Sequence, residues 1–214
     1  MEQQELCRIL EDLKQLQFDE KWHTYHLNGM RLPSVSALMK PLSGEYYKSI
    51  DPAILNAAAE RGTAVHQAIE IYWKNDGFVD MPRGNEGYME AFLKFVSDYK
   101  PEPLASEIRF WHKQLLFAGT ADMVCTIRGA EELWVVDYKT SATINKVLTK
   151  IQLEAYKQGL ASHGFKVPRK AILHLKKDGT YTFDDEYEEH DKQAIEVVNS
   201  LITLYRYKQL YNIK

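Results

Sequence analysis

Hydrophobic positions fall at helical spacing in some stretches of this chain and in strand-like runs in others. Leu6, Leu10, Leu13 and Leu16, with Ile9 beside them, mark an amphipathic helix over residues 3–17. "HTYHLNGMRLPSVSALM" reads as a short hairpin turning at Asn28-Gly29, with Pro33-Ser34 opening a helix. The alanine-rich stretch from Asp51 predicts a helix to about Asn75 and a turn around Asp76-Gly77. "EGYMEAFLKFVSDYK" predicts another helix, closed by Pro101.

The pattern then changes. "LASEIRFWH", "LLFAGTADMVCTIR" and "LWVVDYK" read as three successive strands of an antiparallel meander. "TINKVLTKIQLEAYKQGLASHGF" predicts a long helix ending near Gly164, and "PRKAILHLKK" and "TYTFDDE" predict two strands around a turn at Asp178-Gly179. "HDKQAIEVVNSLITLYRYKQLY" closes the chain with a helix. The order predicts an α/β fold, a central sheet flanked by helices. With no repeat and no long linker, one domain over 1–214 is expected, with a helical and hairpin extension over about residues 1–50.

Composition narrows the function classes. The chain has 214 residues, 45% hydrophobic and 27% charged, as in an ordinary globular protein. No run approaches the roughly 20 apolar residues of a membrane span, so no membrane partner is expected. The amino terminus lacks a signal-peptide pattern. Cys7 and Cys125 alone supply neither a disulfide framework nor a four-cysteine metal site, and a reducing cytoplasm is the expected compartment. The formal net charge of -3 argues against a nonspecific nucleic-acid coat. Within that mean, Lys139 to Lys177 carries nine Lys or Arg against one acid, Glu154. "DDEYEEHD" follows with six acids. The basic block suggests either a face for a polyanion or lysines that solvate helix faces, and the acidic run a solvated turn and helix start.

Four features carry chemistry. Gly62, His66 and Glu70 lie at steps of four on one helix face. Asp122 interrupts an apolar strand, where a carboxylate is costly unless paired or bound to a cation. Asp137 follows it by 15 residues, a separation that suits neighbouring antiparallel strands, and Lys139 stands two further on, on the same strand face. Gln152 and Tyr156 lie four apart on the next helix. A surface ion pair is the ordinary explanation of Asp137 and Lys139 alone. Two carboxylates, an imidazole and a lysine together instead suit a hard cation, Mg²⁺ or Mn²⁺, with His66 favouring Mn²⁺. Such a metal polarises a phosphoryl oxygen and lowers the pKa of water, and Lys139 can orient that water or neutralise developing charge. Gln152 and Tyr156 are neutral donors suited to DNA phosphates and sugars.

The chain resembles the RecB-type, lambda-exonuclease-like branch of the PD-(D/E)XK nuclease superfamily, in its phage-encoded form. "GTAVH" is similar to that branch's glycine-to-histidine helix motif, "GTADMV" to its second motif, "VVDYKTS" to its third and "QLEAY" to the following helix motif. Order and spacing agree over roughly residues 60–160, and "YHLNGMRLPSVSALM" is similar to the segment that opens phage versions. The resemblance implies a restriction-endonuclease-like core with a mixed sheet. It implies Asp122, Asp137 and His66 as metal ligands, the Tyr138 carbonyl beside them, and Lys139 as the catalytic lysine. Glu107 would join through strand packing or stand as a surface strand carboxylate; Glu70 would stand behind the ligands or on the helix surface. An iron–sulfur cluster, found in some relatives, is not expected with two cysteines. The implied activity is a DNA exonuclease in phage or bacterial recombination and repair, with a recombination or single-strand-binding protein as partner and oligomerisation compatible with it. A flap- or branch-trimming endonuclease and a non-cleaving DNA-binding adaptor are the alternatives.

Overall fold

The structure, a computed structural model, describes residues 3–75, 77 and 83–213. It opens with α1 (Gln3–Leu13), then β1 (Leu16–Asp19), β2 (Thr24–Leu27) and β3 (Met30–Leu32). These strands form a three-stranded antiparallel sheet. Here the expected helix over 3–17 is corrected. The helix stops at Leu13, and Leu16 pairs with Leu27 in the sheet. Leu16 satisfies both patterns, because "LQFD" alternates apolar and polar as a strand does.

Helices α2 (Val35–Tyr47), α3 (Pro52–Lys74) and α4 (Glu86–Tyr99) follow. Ser34 caps α2 by accepting the Ala37 N–H, and Asp51 caps α3 with Pro52 at its first turn. Gly77 has φ +93, the left-handed conformation a turn glycine provides; Asp76 lies outside the described residues. α4 ends on Lys100 in a left-handed conformation, and Pro101 begins the next strand.

The large sheet has the order β4 (Pro101–Trp111), β5 (Ala118–Ile127), β6 (Trp134–Lys139), β7 (Arg169–Leu175), β8 (Tyr181–Asp184). The β4–β5–β6 meander is antiparallel. β7 then lies parallel to β6, and β8 antiparallel to β7. A parallel neighbour requires a crossover, supplied by α5 (Lys146–Ala161). The result is a mixed sheet with helices on both faces. One face packs Phe110, Val135 and Ile172 under α1, α2, α5 and the last helix, α6 (Lys192–Leu210). The other packs Met123, Val136 and Leu173 under α3 and α4. Gly159 lets α5 approach the sheet closely, since a Cβ there would fall 2.1 Å from the Phe110 ring.

Much of the basic block is spent internally. Lys146, Lys150 and Arg169 pair with Asp184, Asp191 and Asp185 of the acidic run, and Lys157 donates to the Glu189 carbonyl. The basic and acidic runs therefore lie against each other, and part of the block's charge is balanced locally. Lys170 and Glu154 form a buried pair at 2.6 Å, each 2% exposed. Removing one partner strands a buried charge, so Lys170→Ala should cost about 3–5 kcal/mol, and Lys170→Met with Glu154→Leu should recover much of it. Urea unfolding of both variants checks this.

Candidate active site

The site lies where β4, β5 and β6 stop forming a regular ladder. Met123 pairs with Val136, but the ladder ends there, so the next opposed residues, Asp122 and Asp137, do not pair. Instead Asp122 Oδ2 accepts the Tyr138 N–H at 2.6 Å. Strict alternation would put Ala121 and Met123 on one face, yet they belong to opposite cores. The strand thus turns over at Asp122, and its carboxylate emerges between the layers.

β4 has a matching irregularity. Glu107 sits between the pairs Ser106–Met123 and Ile108–Ala121 without a partner of its own, at φ +50. A left-handed conformation costs a non-glycine residue of order 1 kcal/mol or more. It re-aims the Glu107 carboxylate, as irregular strand positions beside functional sites do.

The helix α3 supplies the third group. His66 Nδ1 lies 3.5 Å from Asp122 Oδ1 and 3.6 Å from Glu107 Oε1, and its Nε2 lies 3.2 Å from the Tyr138 carbonyl oxygen. Ligand atoms of His66, Glu107 and Asp122 all fall within 4.8 Å of one another. Glu107 Oε1 is buried and has no hydrogen-bond partner. Two carboxylates and an imidazole this close together offer the mixed O and N donors that a divalent cation takes. The residues fit the metal that the sequence implies.

Electrostatics tie the groups together. Burial works against the His66 imidazolium, but the Asp122 and Glu107 carboxylates outweigh it and hold the pKa well above the ordinary value. Burial, reinforced by the Asp122 charge, raises the Glu107 pKa despite its imidazole neighbour. Asp122 moves down: burial opposes its charge, but His66, Lys139 and the Tyr138 N–H stabilise the anion. A divalent cation would take over the work of His66's proton, so metal and proton compete for this cup.

Asp137 and Lys139 form the second half of the site. Lys139 Nζ lies 2.5 Å from Asp137 Oδ2 and donates to Gln152 Oε1 at 3.0 Å. Gln152 Nε2 donates to Asp137 Oδ1 at 3.2 Å and to the Tyr156 hydroxyl at 2.7 Å. Burial, with Asp122 adding to it and Lys139 opposing it, pushes Asp137 up to about 6. Lys139 is 24% exposed, and Asp137 and Asp122 hold its pKa above the ordinary lysine value despite burial.

The expected residues are therefore gathered, with changes of arrangement. His66, Glu107 and Asp122 form the cup, so Glu107 is more central than its sequence position suggested. Asp137 faces Lys139 and Gln152 and joins the cup through Tyr138, whose N–H meets Asp122 and whose carbonyl meets His66. Glu70 pairs with Lys74 and stands at the cleft wall. The expectation that Tyr156 meets DNA directly is corrected: Tyr156 is 7% exposed and packs on Phe110, so it braces Gln152. Gln152→Ala should accordingly lower turnover by about tenfold or more, since Lys139 loses a fixed partner, with little change in DNA affinity. Single-turnover rates beside binding titrations separate the two effects.

Gly62, His66, Glu107, Tyr138 and Lys139 border an open cleft of about 570 Å³, and a second hollow of about 270 Å³ meets it at Lys139. The groove leads over the Lys139 ammonium and past the carboxylate–imidazole cup. Residues 83–211 match the family model of the PD-(D/E)XK nuclease superfamily, more than half of the chain, and the chain belongs to that superfamily. The matched span holds Glu107, Asp122, Asp137, Lys139 and Gln152, and His66 lies before it. Among solved structures, the chain is similar to SSO0001, at 14% identity over 94% of this chain and 84% of that one, with a TM-score of 0.45. It is also similar to an alkaline exonuclease, LHK-Exo, from Laribacter hongkongensis, at 11% identity over 85% of this chain and 89% of that one, with a TM-score of 0.48. No curated protein matches the chain. Among the described residues, no helix is long and apolar enough to cross a membrane.

Proposed function

We propose that this protein is a divalent-metal-dependent deoxyribonuclease of the RecB-type branch, an exonuclease of phage or bacterial DNA recombination and repair. The gathering of His66, Glu107 and Asp122 ligand atoms within 4.8 Å of one another carries this reading. A left-handed backbone at Glu107 and two carboxylates held close together are costly features that a bound cation would offset.

In this reading His66, Glu107 and Asp122 hold Mg²⁺ or Mn²⁺, with Asp137 and the Tyr138 carbonyl adjoining. When bound, the cation polarises a phosphoryl oxygen and eases deprotonation of the attacking water. The protein's own groups do the rest. Asp137 and Gln152 fix the Lys139 ammonium at the rim of the cleft, where it faces the charge that develops on the phosphate as the P–O ester bond breaks. Its fixed position means that little reorganisation is required during the reaction. The buried hydrogen bonds from Tyr138 and Gln152 keep the two carboxylates apart and in place.

End-labelled linear DNA and covalently closed circles, single- and double-stranded, provide the test. With Mg²⁺ or Mn²⁺ the linear strands should shorten from an end and the circles persist. Cleaved circles would indicate an endonuclease that trims flaps or branches; intact DNA in every arm would point to a non-cleaving adaptor.

A further inference from the structure

One wall of the cleft comes from the turn between β1 and β2. Phe18, Glu20 and His23 border the same cleft as His66, Glu107 and Lys139. This turn carries three rings, with Lys21 beside them and Arg109 paired to Glu20 at 3.6 Å. Phe18 meets His23 edge-on at 5.0 Å, and the Arg109 guanidinium lies 4.4 Å over Phe18. At the tip, Trp22 is 69% exposed with Lys21 Nζ 5.1 Å from its ring, and the turn is fixed by the Trp22 N–H donating to Asp19 Oδ1 at 3.0 Å.

Phe18 packs against the small-sheet core and His23 meets it edge-on, while the Trp22 ring stands largely outside the fold. An indole so exposed adds little to a core, and it carries a cost in solubility. His23 is exposed and holds φ +48, a conformation in which glycine would be unstrained. An imidazole kept in a strained conformation at the cleft edge, beside an exposed indole, points to a contact outside the fold. Aromatic faces interleaved with cations are what single-stranded nucleic acid uses: every base offers a π-face, and the cations meet the backbone. Bases inside a duplex are already stacked and do not offer that face.

We propose that the β1–β2 turn stacks an unpaired base of the substrate strand at the cleft, with His23 as the cleft-side ring and Trp22 as the outer one. The substrate is then a single-stranded or frayed DNA end, in preference to a blunt duplex. This rests on the nuclease reading and names its substrate class.

The test replaces Mn²⁺ with Ca²⁺, which permits binding while supporting hydrolysis poorly. Oligonucleotides carrying 2-aminopurine near one end are titrated as single strands and as blunt duplexes with wild type, Trp22→Ala and His23→Gly. Wild type should quench the probe and bind the single strand about tenfold or more tightly than the blunt duplex. Each variant should lose about five- to tenfold on the single strand, lose nothing on the duplex, and melt no lower than wild type in the His23→Gly case. Absence of a single-strand preference in wild type, or equal losses on both substrates, would overturn the proposal. A parallel Mn²⁺ cleavage assay keeps the two ideas apart: base stacking without cleavage sinks the nuclease reading alone, and cleavage without stacking sinks this one alone.

Discussion

Lys139→Ala should lower DNA cleavage by about a thousandfold while leaving the fold and most DNA affinity in place. The magnitude follows from losing one preorganised charge at a hydrolytic centre, a loss of about 3–4 kcal/mol of transition-state stabilisation. Lys139 is held by Asp137 at 2.5 Å and Gln152 at 3.0 Å, so its position is set before substrate arrives. Removing it leaves Asp137 without its cation in a buried setting. Because burial already pushes that carboxyl up to about 6, protonation limits the structural penalty. A single-turnover rate beside a melting curve decides the matter. Near-native turnover would return Asp137 and Lys139 to the status of a strand-end ion pair.

Asp122→Asn should have a comparable effect by another route. The amide oxygen can still accept the Tyr138 N–H, so the β5–β6 junction survives. The lost charge removes both a cation ligand and the group that does most to keep His66 protonated. Two results are expected together: cleavage falls by about a thousandfold, and the His66 pKa drops, since burial is then opposed by Glu107 alone. Histidine titration by NMR reads the second result without any turnover. Lost activity with an unshifted His66 would show that the imidazole and Asp122 are not in contact.

Asp137 and Lys139 were put on one face by strand alternation, and Asp122 stood out as a carboxylate inside an apolar run. A 15-residue separation across a short connection leaves few ways to place the two aspartates apart. His66 and Gln152 were legible from helical spacing and the superfamily's motif order. Glu107 was named through the superfamily resemblance, as a strand carboxylate that could join the site or stand on the surface. Its left-handed backbone is set by β4 packing against β5, and alternation predicts nothing about a residue that leaves the β region. β1 was hidden because four residues cannot distinguish a strand from the end of an amphipathic helix. The partly neutralised basic block was hidden for a different reason. Its partners Asp184, Asp185 and Asp191 are brought alongside by β7, β8 and the start of α6, a tertiary arrangement that charge counting along the chain does not contain.

Calorimetric titration of Mn²⁺ into the DNA-free protein tests the central claim most directly, because it reads the cup of His66, Glu107 and Asp122 apart from the chemistry. Wild type should bind the ion and release protons as it does so, since the cation displaces the proton on His66. Asp122→Asn should bind about tenfold or more weakly, and DNA cleavage by wild type should stop in excess chelator. Equal Mn²⁺ affinity in the two proteins, or cleavage that persists under chelation, would contradict a metal-dependent nuclease built on these three residues.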